Sequence, residues 1–398
     1  MSTPATAVRP SVAAAVDLPA PRPAMLWTRP TGPIRSRVAY AAAHVVPVVD
    51  ADNAPGAPAV LDWDVTLAYR HELWSYGLGV ADAMDTAQRG MGLDWAATRE
   101  LIRRSGAEAA AVGGALACGA GTDQLDRAMI PDGPAGLRSV EAAYREQVEV
   151  VTEAGATVIL MASRALAGAA RGAQDYLEVY SRLLSEADRP VILHWLGAMF
   201  DPALSGYWGS HDLPTATATV LDLIRAHPEK VDGIKVSLLD AGHEKALRAA
   251  LPAGVRLYTG DDFNYPELVV GDDEGHSDAL LGIFAAIYPA ASAALQALDA
   301  GDATRARQIL DSTQALGRHI FSAPTFYYKT GIAFLSWLNG RQPGFSMVAG
   351  LQSGRSVPHL VTVFRLADEA GLLLDPDLAR HRLRSLLAVN GIEVGHGH

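Results

Sequence analysis

The chain is poor in cysteine, in positive charge and in long apolar runs, and each shortage excludes something. Cys118 is its single cysteine. That excludes an internal disulfide and any cysteine-rich metal cluster, and it fits a reducing compartment. Lysines and arginines number 33 against 44 aspartates and glutamates, a formal net charge of −11. No basic stripe is present to neutralise a phosphate backbone, so no nucleic-acid partner is expected. No apolar run reaches the roughly 18 residues of a membrane span. The opening stretch MSTPATAVRPSVAAAVDLPAPRPAMLW has no compact apolar segment behind a basic start. Neither a membrane partner nor a secretory leader is expected, and the chain reads as cytoplasmic.

What is present is globular: 398 residues, 49% hydrophobic and 19% charged. From Arg37 onward, short apolar runs alternate with amphipathic stretches, the pattern of a parallel sheet with helices outside it. Eight candidate strands lie at 37–46, 80–86, 109–116, 157–162, 191–195, 233–237, 256–259 and 279–286. Asp94 is placed to cap one intervening helix, Ser139 and Gly155 to bracket another, and Pro190 to follow a third. No Gly-x-Gly-x-x-Gly follows the first strand, so a closed barrel is expected rather than an open dinucleotide-binding sheet. The fold class is therefore α/β, a (β/α)₈ TIM barrel, with residues 1–36 as a flexible arm and residues 37–289 as the barrel. Residues 290–398 form a helical C-terminal extension. Its Gly-His-Gly-His ending, with His396 and His398, reads as a solvated tail.

In such a barrel, chemistry sits at the C-terminal ends of the strands and in the loops that follow them. Strand 2 ends in Asp85-Thr86-Ala87-Gln88 and strand 4 in Ser163-Arg164. Strand 5 carries His194 and Trp195, strand 6 carries Lys235, and strand 7 ends in Gly260-Asp261-Asp262. His276 and Asp278 approach strand 8. Lys235 stands among Val231, Gly233, Ile234 and Val236, where an unpaired ammonium is costly. It is either a salt-bridged structural residue or a desolvated amine able to form a Schiff base with a carbonyl. His194 is either a hydrogen-bonded core residue or a proton shuttle. Asp85 either meets substrate hydroxyls or caps its turn. Asp261 and Asp262 either bind hydroxyls or a metal, or cap a helix.

VDGIKVS followed by RLYTGDD resembles strands 6 and 7 of the dihydrodipicolinate synthase / N-acetylneuraminate lyase superfamily. PVILHWLG and EAGATVILMAS are similar to its fifth and fourth strands, and GLGVADAMDTAQRGMGLDWAATRELI to its second-strand segment. The similarity spans residues 37–289 and points to an uncharacterised dihydrodipicolinate synthase-like branch. It implies that Lys235 is a Schiff-base nucleophile. Two departures stand out. The superfamily's Thr-Thr turn reads Thr86-Ala87, and its strand-4 tyrosine falls within Met161-Ala162-Ser163, where there is none.

The expectation is a class I aldolase or lyase acting on a small-molecule carbonyl substrate, a keto acid or keto sugar, with no cofactor and no metal. Lys235 and His194 would be catalytic; Asp85, Thr86, Asp261, Asp262 and Arg164 would bind substrate. The first alternative is a metal-dependent barrel lyase or isomerase with His194, Asp85, Asp261 and His276 as ligands. The absence of a His-x-His on strand 1 weakens its hydrolase form. The second alternative is a non-catalytic sugar-binding barrel. Beyond the barrel, His319, Phe326, Tyr327, Tyr328, Lys329 and Trp337 crowd one stretch. Aromatics so spaced form core or a subunit interface, and a homo-oligomer is expected; Lys329 is within reach of the barrel mouth. The polar stretch with Gln352, Ser353 and Arg355 is either a surface turn or a loop closing over an anionic or hydroxylated substrate.

Overall fold

In the computed structural model, which describes residues 22–131 and 133–393, eight parallel strands close into one barrel. They are β1 (Ala39–Ala42), β2 (Gly79–Asp82), β3 (Leu116–Ala120), β4 (Thr157–Leu160), β5 (Val191–Leu196), β6 (Val231–Ser237), β7 (Arg256–Thr259) and β8 (Asp278–Leu281). Each pairs with its neighbour in sequence, and β8 returns to β1 through Ala39–Ala279 and Ala41–Leu281. The helices outside are α1 (Trp63–Ser75), α2 (Trp95–Val112), α3 (Pro134–Glu153), α4 (Arg164–Ala169), α5 (Ala173–Glu186), α6 (Leu213–Ala226), α7 (Ala241–Ala250), α8 (Tyr265–Val270) and α9 (Ile283–Asp299). Four more follow: α10 (Ala303–Ile320), α11 (Tyr328–Leu338), α12 (Val357–Glu369) and α13 (Pro376–Val389). The fold is the expected TIM barrel with a C-terminal helical extension. None of the described helices is long and apolar enough to cross a membrane.

Local chemistry explains most boundaries. Asp62, Asp94, Asp212, Asp240, Asp302 and Asp375 each accept a first-turn N–H with the side chain. Several strands are shorter than the sequence reading, among them β1, β2 and β4, and three further boundaries differ for identifiable reasons. Residues 109–116 were expected as strand, but α2 runs through Val112. Its end is alanine-rich, the best helix-forming composition, and Gly113 at φ +66° closes it before β3 begins. The helix bracketed by Ser139 starts earlier, at Pro134, whose fixed φ suits a first helical position. The eighth strand stops at Leu281, and α9 carries Pro289 inside it, so residue 289 falls within the barrel's last helix.

Side chains alternate along the strands. Tyr40, Ala42, Ala81, Ala117, Ile159, Ile192, Tyr258 and Leu280 fill the barrel interior as one cluster. Leu193, Trp195, Ile234 and Val236 belong to the other, larger core, shared with the surrounding helices. His194 and Lys235 alternate with these outward residues and so face the interior.

The described part of the N-terminal segment lies against the helices: Trp27 donates to the Gly371 carbonyl at 2.8 Å and the Ser36 N–H to Asp299 at 2.6 Å. Residues 1–21 of the expected arm, and the tail with His396 and His398, lie outside the described residues. The extension packs on loops at the C-terminal face of the barrel. Gln314 donates to the Phe263 carbonyl at 2.8 Å after β7, and Gln88 after β2 donates to the Val348 carbonyl at 2.8 Å.

Candidate active site at the barrel mouth

Strand register places Lys235 of β6 beside His194 of β5 on one side and Tyr258 of β7 on the other. Lys235 is buried, and among the described residues no hydrogen bond or ion pair holds its ammonium. Gly260, at the end of β7, makes room for it: a Cβ there would sit 2.9 Å from Lys235 Cε. Burial lowers the lysine's proton affinity, and the charges of Asp262 and Asp85 oppose that.

His194 is fully buried, and neither ring nitrogen has a partner. Burial first, and then the charge of Lys235, hold it well below the ordinary histidine range, so it is neutral at pH 7. Asp262 accepts the Ile283 N–H at 2.7 Å and so caps the start of α9. Burial pushes its carboxyl well above the usual range, opposed by the backbone bond and by Lys235. Asp261 next to it is used within its own loop. It accepts the N–H groups of Phe263 and Asn264 and the Asn264 side-chain amide, each at 2.9 Å.

Beyond β2, Asp85 is half-buried and Thr86 is buried in a short 3₁₀ turn, Asp85–Ala87. The end of that strand is fixed by a fully buried pair, Asp82 with Arg70 of α1, at 2.8 Å. Arg164, at the start of α4, is ion-paired with Asp201. Within Met161-Ala162-Ser163, the stretch that lacks a tyrosine, Ser163 caps α4 through Leu166 N–H at 2.9 Å and meets the Thr122 hydroxyl at 2.6 Å.

Two residues reach the site from α11, far away in sequence. The Tyr328 hydroxyl lies 2.8 Å from Thr86 Oγ1, and its ring stacks on Phe321. Burial raises its phenol well above the ordinary value, and Asp85 and Asp262 add to that. These are the same two carboxylates that act on Lys235. Lys329 is 2% exposed, with Met91 Sδ at 3.1 Å from its Nζ. The sequence reading put Tyr328 with core or interface aromatics; its only local signal is a Tyr-Lys pair opening an otherwise apolar helix. The other aromatics there also pack within the chain, Trp337 on Phe345 and Phe334 on Phe345. The stretch with Gln352 and Ser353 binds its own backbone, through Met347 N–H and the Gly350 carbonyl, while Arg355 donates to the Ser322 carbonyl at 2.6 Å.

Lys235, His194, Asp85, Thr86 and Asp262 thus gather at one end of the barrel. Asp85 and Arg164 line a cavity of about 140 Å³ there, with Arg89, Ser163, Met161 and Asp201. A larger cavity of about 730 Å³ lies at the opposite end, where Tyr40, Asp232, Arg256 and Tyr258 begin their strands. None of the expected site residues lines it, and barrel chemistry belongs to the strand ends. His276 precedes β8 and so stands toward that opposite end, away from Asp85 and Asp261. The four ligands of the metal alternative therefore do not converge. Among the described residues, no group of three or more His, Cys, Asp or Glu side chains is arranged to hold a metal ion.

Residues 10–392 match the family model described as "Protein of unknown function (DUF993)". No curated protein matches the chain. Among solved structures, it is similar to YagE, a prophage protein of the dihydrodipicolinic acid synthase family from E. coli K12, solved in complex with pyruvate. The identity is 14% and the TM-score 0.65, over 84% of this chain and 99% of that one. Dihydrodipicolinate synthase from Aquifex aeolicus is 13% identical with a TM-score of 0.63, over 85% and 99%. The enzyme from Thermotoga maritima is 13% identical with a TM-score of 0.61, over 85% and 100%. At these identities the likeness is one of fold, and the fold is that of the dihydrodipicolinate synthase barrel.

Proposed function

The chain belongs to the DUF993 family, and we propose that it is a Schiff-base-forming lyase of the aldolase type with Lys235 as its nucleophile. The substrate is a small keto acid or keto sugar. The observation that carries this reading is a buried lysine, without an ion-pair partner, between two carboxylates at the C-terminal end of a TIM barrel. The solved relatives' fold supports it; YagE binds pyruvate.

The chemistry follows from the arrangement. Burial favours the neutral amine, whose lone pair attacks the substrate carbonyl carbon. The first adduct passes one nitrogen proton to its alkoxide, and the hydroxyl of the resulting carbinolamine takes up a proton and leaves as water, giving an iminium that keeps one N–H. The iminium then accepts the electron pair of the C–C bond that breaks; for a C–O bond, it first accepts the pair of a C–H bond whose proton a base removes, and the enamine so formed expels the oxygen with its own electron pair. Asp262, which burial keeps protonated, suits the acid that protonates the departing hydroxyl. Tyr328, held by Thr86, provides a phenol beside the same carboxylates, in a site whose strand 4 has no tyrosine. His194, neutral and unpartnered, is an acceptor next to the amine. Asp85 and Arg164 face the substrate from the cavity wall. The proposal keeps the cytoplasmic setting, since the single buried thiol, Cys118, calls for no oxidising compartment, and it keeps the homo-oligomer as part of the same reading.

Borohydride trapping tests it. Incubation with pyruvate and borohydride should add a stable mass to the peptide carrying Lys235, and Lys235→Arg should abolish the adduct while the protein stays folded, because guanidinium remains protonated. Trapping should be indifferent to EDTA. If a panel of keto acids and keto sugars gives no adduct on Lys235, and a catalysed reaction is instead lost in EDTA and restored by a divalent metal, the reading is wrong.

A further inference from the structure

The cations of the barrel mouth can be sorted by what holds them. Arg89 is tied to Asp123, Gln147 and the carbonyls of Ala83 and Gly119. Arg164 is paired with Asp201. Lys235 is the nucleophile. Lys329 remains. It is fully buried, its nearest polar contact is the Met91 thioether at 3.1 Å, and its ammonium lies 5.0 Å from the centre of the Tyr328 ring. A thioether is a weak acceptor, and among the described residues no carboxylate lies within ion-pair distance of Nζ. A buried ammonium without a counterion is a costly arrangement. Burial lowers its pKa to about 8, which still leaves it mostly charged at neutral pH.

Its charged neighbours are Asp85, Arg164 and Asp201; all three line the 140 Å³ cavity at the mouth, and Lys329 stands behind that wall. The Arg164 guanidinium lies flat against Gly90, next to Met91, so closely that no Cβ would fit at residue 90. In the turn after β2, the N–H groups of Asp85 and Thr86 have no bonded partner among the described residues, but the donors that follow are engaged. Ala87 N–H bonds the Met84 carbonyl at 2.9 Å and Gln88 N–H the Asp85 carbonyl at 3.0 Å. Thr86 Oγ1 is engaged with Tyr328. Once Lys235 becomes an iminium, the mouth holds a fixed cation whose nearest carboxylates are Asp85 and Asp262, and Lys329 adds a further ammonium without an ion-pair partner among the described residues.

We infer that Lys329 is the anchor for a substrate carboxylate, an anion-binding group that the C-terminal extension carries to the barrel mouth. This inference rests on the Schiff-base reading and narrows it. The substrate is a carbonyl compound bearing a carboxylate rather than a neutral keto sugar.

The test compares two small carbonyl probes, pyruvate and neutral hydroxyacetone, by borohydride trapping on the wild type, Lys329→Met and Lys329→Arg. Lys329→Met should raise the ratio of half-saturating pyruvate to half-saturating hydroxyacetone roughly 10- to 100-fold, the loss expected for one charge-assisted hydrogen bond. Lys329→Arg should restore part of it. A ratio unchanged in Lys329→Met, with circular dichroism showing a folded protein, overturns the inference. So does an adduct found on Lys329, which would make that residue a nucleophile. Calorimetric titration with lactate, which keeps the carboxylate and cannot form an iminium, reads the anchor alone. If no adduct forms on Lys235 but lactate binding is lost in Lys329→Met, the anchor stands and the Schiff-base reading falls. If lactate binds both proteins equally, or neither, the anchor falls.

Discussion

The hydroxyl of Tyr328, on the first turn of α11, lies 2.8 Å from Oγ1 of Thr86, 242 residues earlier in the turn that follows β2. The bond joins the C-terminal extension to the barrel's chemistry. It fastens one side of the mouth and sets a phenol beside Asp85 and Asp262, the carboxylates nearest Lys235.

Tyr328→Phe separates catalysis from packing. The ring keeps its stack on Phe321, whose centroid is 4.3 Å away. Stability should fall by only about 1 kcal/mol, the net worth of one hydrogen bond. The turnover number should fall by about 10²-fold or more if the phenol moves a proton. Thermal melts and rates on one preparation check this. A large stability loss with an unchanged rate would make Tyr328 a strut.

Acid should destabilise the fold through buried histidines. His44 is fully buried against Gln342, and burial, then the Arg70 charge, lowers its pKa to about 4; His194 shifts the same way. A histidine whose folded pKa is depressed gives its full stability above the unfolded value, near 6.5. That stability is lost as pH falls from there toward about 4. For His44 the loss is about 3 kcal/mol over that window. Urea unfolding of His44→Gln should depend less on pH between 6.5 and 4 than the wild type. Parallel curves would contradict this.

Glu244 works in the opposite range. On α7 it accepts the Thr259 hydroxyl at 3.0 Å and the Ser277 hydroxyl at 2.8 Å. Burial raises its pKa to about 8. A carboxyl whose folded pKa is raised favours the fold fully below its unfolded value, near 4.5, and that contribution is lost as pH rises through about 8. Glu244→Gln cannot ionise and can keep both hydroxyl contacts. Its melting temperature should exceed that of the wild type at pH 8.5, with a smaller difference at pH 4.5.

Arg70 and Asp82 form a pair with no exposure on either side chain. Asp82 also accepts the Ser105 hydroxyl at 2.6 Å and the Ala83 N–H at 2.8 Å. Asp82→Ala leaves a buried guanidinium uncompensated and should cost about 3–5 kcal/mol in denaturant melts. Arg70→Met combined with Asp82→Leu should cost less than that single change. Because Asp82 ends β2 three residues before Asp85, the single variant should also disturb trapping at Lys235.

The barrel was legible in the chain because its signals are local. Apolar runs, capping aspartates and turn glycines repeat with the strand–helix period, and VDGIKVS alone puts Lys235 on a short apolar strand. Errors arose where two local rules competed, as at residues 109–116, where alanine-rich helix propensity extended α2 into the expected third strand. What each polar group does was decided only by the folded chain. Neighbouring Asp261 and Asp262 look alike in sequence, yet one ties its own loop and the other caps α9 beside Lys235. Tyr328 reads as a core or interface aromatic of a distant helix, beside a lysine within reach of the mouth, until the extension folds over it. Helical periodicity reports that a residue is buried but not what it is buried against, and that partner comes from packing between elements hundreds of residues apart.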